Sequence, residues 1–144
     1  MLKGTHPLLH ADLLHALASM GHGDELVIAD ANFPWASIGR RVVHLAGASA
    51  PDALDAILTV FPLDTFVDQP ALTMEVVGDP DAVPDPVRDF AAVFTRHGLA
   101  DVDIGGLDRE AFYARARGAF ALVRTGELRA YGNILLVKGV IIGG

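Results

Sequence analysis

The 144-residue chain contains no cysteine, which excludes disulfide frameworks, thiolate metal sites and thiol nucleophiles. Long apolar runs are missing too. The longest, Phe90–Phe94 and Ala119–Val123, are five residues each, far short of a membrane-spanning helix. Basic residues are few: eleven Lys and Arg face eighteen Asp and Glu, giving a net charge of −7. The cations are scattered, and phosphate backbones need them clustered, so nucleic-acid partners are not expected. The first residues place His6, His10 and Asp12 among the leucines, which leaves no signal-peptide core and points to the cytoplasm. The fingerprints G-x-x-x-x-G-K-[ST], G-x-G-x-x-G and G-x-S-x-G are all absent, so no nucleotide or hydrolase motif is present.

Apolar residues make up 51% of the chain, and the length suits one domain spanning residues 1–144. The mean hydropathy of +0.37 is high for such an acidic chain and hints at apolar surface covered by subunit contacts. Leu9, Leu13, Leu14 and Leu17 mark a first helix, with Gly21 in the place of a terminating C′ glycine. Glu25–Asp30 reads as a buried strand and Arg41–Leu45 as a second. Pro51 opens a helix with Leu54, Ile57, Leu58 and Phe61 on one face. Thr65–Val67 and Leu72–Val77 have strand character, and Gly78–Pro86 is loop-like. A helix from Asp85-Pro86 carries Val87, Phe90, Ala91 and Phe94 and ends near Gly98. A strand at Val102–Ile104 leads through Gly105-Gly106 to a helix capped by Asp108. Ala119–Arg124 and Asn133–Val137 are the last strands, either side of Thr125-Gly126. Helices alternating with continuous apolar strands predict a three-layer αβα domain with a mostly parallel or mixed central sheet.

The stretch from Met20 to Pro34 holds the most chemistry. His22 lies between two glycines, with little side-chain cover. It is either a solvated residue in a tight turn or an acid/base catalyst, for which an imidazole is suited at neutral pH. Asp30 closes a strand, and ligands of open α/β sheets gather at the carboxyl ends of strands. Tyr131-Gly132-Asn133 precedes the last strand; a turn is the simpler reading, while phenol and carboxamide groups also suit a polyhydroxylated ligand. Arg109 falls in the first turn of its helix, a poor place for a cation unless a function keeps it there. Asp64 reads as a turn residue before it reads as a ligand carboxylate. Phe33 and Trp35 could wall a sugar pocket or anchor an interface. No three residues have metal-ligand spacing, and His6, His10, His15, His44 and His97 read as structural or solvated.

These residues fall into a pattern. The segments MGHGDE, ADANFP, PLDTFV, AFYARARGAFALVRTGE and YGNILLVKGV, in this order, resemble the L-fucose mutarotases and their kin, the D-ribose pyranases. The resemblance runs from about Leu2 to Val140. It implies an enzyme that interconverts sugar anomers without a cofactor or metal, assembled as a ring, often of ten subunits. It implies that His22 is the proton donor and that Asp30, Arg109, Tyr131, Gly132 and Asn133, with Asp64, bind the monosaccharide. The Gly-His-Gly and Tyr-Gly-Asn forms favour fucose over ribose. His44-Leu45-Ala46-Gly47 departs from the Arg-Ala-Asp-Gly usual in relatives, and Gly105–Asp108 is looser than their apolar run; both bear on which sugar is taken. A sugar-binding protein without activity, or a purely structural ring-forming protein, are the rival readings.

Geometry adds one expectation. Five residue steps from Glu25 to Asp30, at about 3.3 Å each, separate the ends of that strand by roughly 16–17 Å. A monosaccharide cannot touch both His22 and Asp30 across that span, unless the strand is broken or strongly bent. Two protomers sharing one site would resolve this, through a heterologous contact that closes into a ring.

Overall fold

The structure, a computed structural model, describes residues 1–143. Six strands form one sheet in the order β2-β5-β1-β6-β3-β4: β1 (Glu25–Ala29), β2 (Val42–Leu45), β3 (Ala71–Met74), β4 (Ile104–Leu107), β5 (Ala121–Thr125) and β6 (Ile134–Val137). The pairs β2·β5, β5·β1 and β3·β4 are parallel, whereas β6 runs antiparallel between β1 and β3. The sheet is therefore mixed, with one reversed strand.

Two helical layers cover it, and strand alternation sorts the core between them. Leu26, Ile28, Ile134 and Leu136 face the layer of α1 (Ala11–Ser19), α3 (Ala50–Leu58) and α4 (Asp85–Arg96). Val27, Ala29, Leu135 and Val137 face α2 (Trp35–Ile38) and α5 (Arg109–Gly118). All these strand residues are buried, which is why the strands read as continuous apolar runs. The αβα expectation holds.

Several boundaries move, each for a local reason. Gly21 follows α1 but does not adopt the left-handed conformation; that falls to Gly23 (φ 84°). The helix end is closed instead by Lys138, whose Nζ donates to the carbonyls of Leu17 (2.9 Å) and Met20 (2.6 Å). Thr65–Val67 is not a strand, because its amides turn inward to the Asp64 carboxylate, with Val67 N at 3.2 Å from Oδ2. Gly105 and Gly106 lie inside β4 rather than after it. In α4 the buried face includes Val93, and Ala91 is exposed. The last two strands do not pair with each other: β1 lies between them. Their connection is consequently free to be a structured loop at the sheet's end.

Candidate functional site

The five strands other than β6 share a direction, so their carboxyl ends gather at one end of the sheet. Asp30 follows β1 there, Met74 ends β3, Arg109 follows β4 and Asn133 enters β6. These residues line a cavity of about 280 Å³ together with Asn32, Phe33, Tyr113, Ala130 and Tyr131. Larger hollows exist elsewhere, but this one is lined by Asp30, a buried carboxylate, together with Asn32, Arg109, Tyr131 and Asn133.

Asp30 is buried, and burial pushes its carboxyl above the ordinary range. Four donors work against that shift: the amides of Asn32, Phe33 and Gly132, and the side chain of Asn133. Asn133 meets Asp30 twice. Its Oδ1 accepts from the Asp30 amide at 2.7 Å, and its Nδ2 donates to Oδ2 at 3.1 Å. Tyr131 takes a left-handed backbone (φ 62°), unusual outside glycine, and its hydroxyl accepts from Val77 N at 3.2 Å. Gly132 must be glycine: a Cβ there would lie 2.6 Å from Cγ of Glu127. Arg109 reaches the rim half-exposed, its only ion-pair partner being Glu110 at 3.8 Å among the described residues. Asp108 caps α5 by accepting from Ala111 N at 2.8 Å, which fixes where that arginine starts.

His22 is elsewhere. It precedes β1 and sits at the amino end of the parallel strands, where the chain pairs with the far end of β6 through Gly23 N donating to Lys138 O (2.8 Å). Its side chain is 45% exposed, and Nε2 donates to Oδ1 of Asp64 at 2.9 Å. Asp64 is buried beneath it; burial would raise its carboxyl, but the His22 bond and the amides of Phe66 and Val67 outweigh that and hold it low. With Nε2 turned to Asp64, Nδ1 is the ring nitrogen left for another partner. The ring packs against Phe66 (5.2 Å between centroids), itself 71% exposed. An apolar hollow of about 400 Å³ adjoins His22, lined by Leu14, Leu17, Val60, Phe61, Val140 and Ile141 among others.

The structure thus brings Asp30, Arg109, Tyr131 and Asn133 together around one cavity, with Gly132 packed behind them. It sets His22 and Asp64 apart from them. The two hollows share no lining residue, and β1 between them is unbroken, paired on both sides. A bent strand that would unite the groups in one chain does not occur.

A family model described as the RbsD / FucU transport protein family matches residues 3–141. The chain belongs to that family. Within the RbsD / FucU family, the fucose mutarotase of Bos taurus is 44% identical, covering 98% of this chain and 95% of its own length. The L-fucose mutarotase of Haemophilus influenzae is 43% identical, covering 97% of each. The crystal structure of the fucose mutarotase from Streptococcus pneumoniae in complex with L-fucose superposes with a TM-score of 0.92, at 41% identity over 98% of this chain and 100% of that one.

Sequence reading overlooked some of the RbsD / FucU-type cavity. Met74 carried no signal beyond composition, while Asn32 and Tyr113 stood unremarked within the segments ADANFP and AFYARARGAFALVRTGE. Phe33 does wall the cavity, while Trp35 lies outside its lining, packed against His44 and beneath the Arg124 guanidinium. Among the described residues no group of three or more His, Cys, Asp or Glu side chains is placed to hold a metal ion. No helix there is long and apolar enough to cross a membrane.

Proposed function

We propose that the protein is a cofactor-free aldose mutarotase that interconverts the α and β anomers of L-fucose. The observation that carries this reading is the likeness, over nearly the whole of each chain, to relatives named fucose mutarotase. The chemistry matches the groups present. Ring opening removes the proton from the anomeric hydroxyl, breaks the bond between C1 and the ring oxygen, and delivers a proton to that oxygen. Rotation about C1–C2 and closure on the other carbonyl face reverse those transfers. Two proton-handling groups suffice, and such help is typically worth about 10²–10⁴-fold.

His22, oriented by Asp64, handles one proton, and the Asp30 carboxyl handles the other. Asp30 orients the sugar at the other end of the sheet, and Arg109, Tyr131 and Asn133 read its hydroxyls. Because an unbroken strand separates the two ends, the site is completed by a neighbouring subunit, whose His22 enters the Asp30 cavity. Such a head-to-tail contact closes into a ring, here assigned ten subunits from the resemblance. The exposed Val60, Phe66, Val67 and Ile141 around His22 support a buried contact at that end. The enzyme works in the cytoplasm.

Saturation-transfer NMR on fucose tests the reading. Exchange between anomer signals should quicken on adding protein and persist after prolonged EDTA treatment. Binding without faster exchange would leave a sugar-binding protein, and loss on chelation restored by a divalent ion would overturn the metal-free chemistry. A panel including D-ribose and galactose would rank substrates, with fucose expected first.

A further inference from the structure

Glu127 lies just past β5, is 4% exposed, and has no part in the proton transfers described. A carboxylate buried so deeply needs partners, and it has them in Arg129 and in the backbone amide of Ala50 at the start of α3. Arg129 donates to it three times: through the backbone amide and Nε to Oε2 (both 3.1 Å) and through Nη2 to Oε1 (2.9 Å). The remaining arm of the guanidinium, Nη1, donates to Oδ2 of Asp89 on α4 at 2.7 Å. The main chain is pinned as well, since Ala31 N, next to Asp30, donates to Glu127 O at 2.8 Å. The same side chain has a second contact. Its Cγ is the atom that a Cβ at residue 132 would strike, and that Cβ would also lie 3.6 Å from Cβ of Asp30. Gly132 is therefore wedged between Glu127 and Asp30, where its amide donates to the Asp30 carboxylate.

We propose that Glu127 is a positioning residue for the sugar cavity: its carboxylate, through Arg129 and onward to Asp89, holds the segment that presents Tyr131, Gly132 and Asn133. This rests on the reading that the Asp30 cavity binds the sugar. The geometry favours placement over bulk support. The buried carboxylate makes a forked, directional pairing with a residue two positions along the same loop, and that loop includes the strained Tyr131 backbone. Lysine cannot reproduce a fork that uses Nε and Nη2 at once.

The test compares Glu127→Gln, Arg129→Lys and Asp89→Asn with the unaltered protein, measuring KM and kcat for fucose exchange and the NMR titration of the Asp30 carboxyl without sugar. Displacement of binding groups by a fraction of an ångström to an ångström predicts KM raised about tenfold or more in the first two variants, with kcat far less changed. Asp89→Asn, at an exposed position, should raise KM roughly two- to threefold. Asp30 should titrate higher in Arg129→Lys, which keeps the charge at residue 129, because the Gly132 amide that favours its charged form has moved. A lower melting temperature with KM and the Asp30 titration unchanged would show a merely structural role and overturn the proposal. If Glu127→Gln fails to fold, unchanged KM and Asp30 titration in Arg129→Lys and Asp89→Asn overturn it equally. Absence of exchange in the unaltered protein would sink the mutarotase reading alone, since the Asp30 titration still decides whether the clamp acts.

Discussion

The two ends of the sheet are built from the same six strands yet differ in almost every property. At the carboxyl end of the parallel strands, a buried aspartate is surrounded by donors and a small polar cavity opens beside it. At the amino end, a half-exposed histidine stands on a buried aspartate among exposed apolar side chains. The first can hold a hydroxylated ligand but has no imidazole. The second has the imidazole but no polar cradle. On the proposed reading each is half of an acid–base site, and the contrast between them is the reason a neighbouring subunit is invoked to complete it.

The largest effect should come from removing the imidazole. His22→Ala is expected to reduce fucose exchange by about 10²–10⁴-fold while folding and assembly, followed by circular dichroism and sedimentation, remain intact. Next comes the cradle. Gly132→Ala forces a Cβ to within 2.6 Å of Glu127 Cγ, so the segment must shift, and a displacement near 1 Å costs on the order of 10²-fold. Asp64→Asn keeps the shape beneath His22 but weakens its hold on the ring; a loss of roughly tenfold in kcat, with KM little changed, is expected from steady-state exchange rates.

The smallest effect separates the buried carboxylates by sign. Asp64 and Glu127 are held below their ordinary values, so between those values and the folded ones the unfolded chain binds more protons. Their stabilisation is complete above about pH 5 and is lost as pH falls through the folded values. Asp30 is raised, so it binds protons first in the folded state, and its contribution to stability grows as pH falls. Urea midpoints measured from pH 6 to pH 3 should therefore fall, and should fall more steeply in Asp30→Asn, which lacks the opposing group.

Much of this was legible in the sequence, and the exceptions have physical causes. The layered fold followed from Leu26–Ala29 and Ile134–Val137, apolar on both faces because helices cover both. Asp108 announced its cap, and Asp30 its strand end. Thr65–Val67 misled because β-branched and aromatic residues favour strands, while the carboxylate that captures their amides is invisible to periodicity. Asp64 looked like a turn residue and is one; its burial against His22, 42 positions earlier, is a tertiary fact. Met74 and Tyr113 reach the cavity because β3 ends just across β6 from β1 and α5 starts over the same end of the sheet, a neighbourhood set by strand order rather than by spacing.

The shared site is tested most directly by mixing subunits. His22→Ala and Asp30→Ala proteins, each inactive alone, would be unfolded together, reassembled, and assayed for fucose exchange by saturation transfer. If His22 of one protomer serves Asp30 of the next, some interfaces in mixed rings pair two intact halves, and a fraction of the unaltered activity returns. Mixed assemblies shown by mass spectrometry to contain both variants, yet as inactive as either parent, would contradict the account.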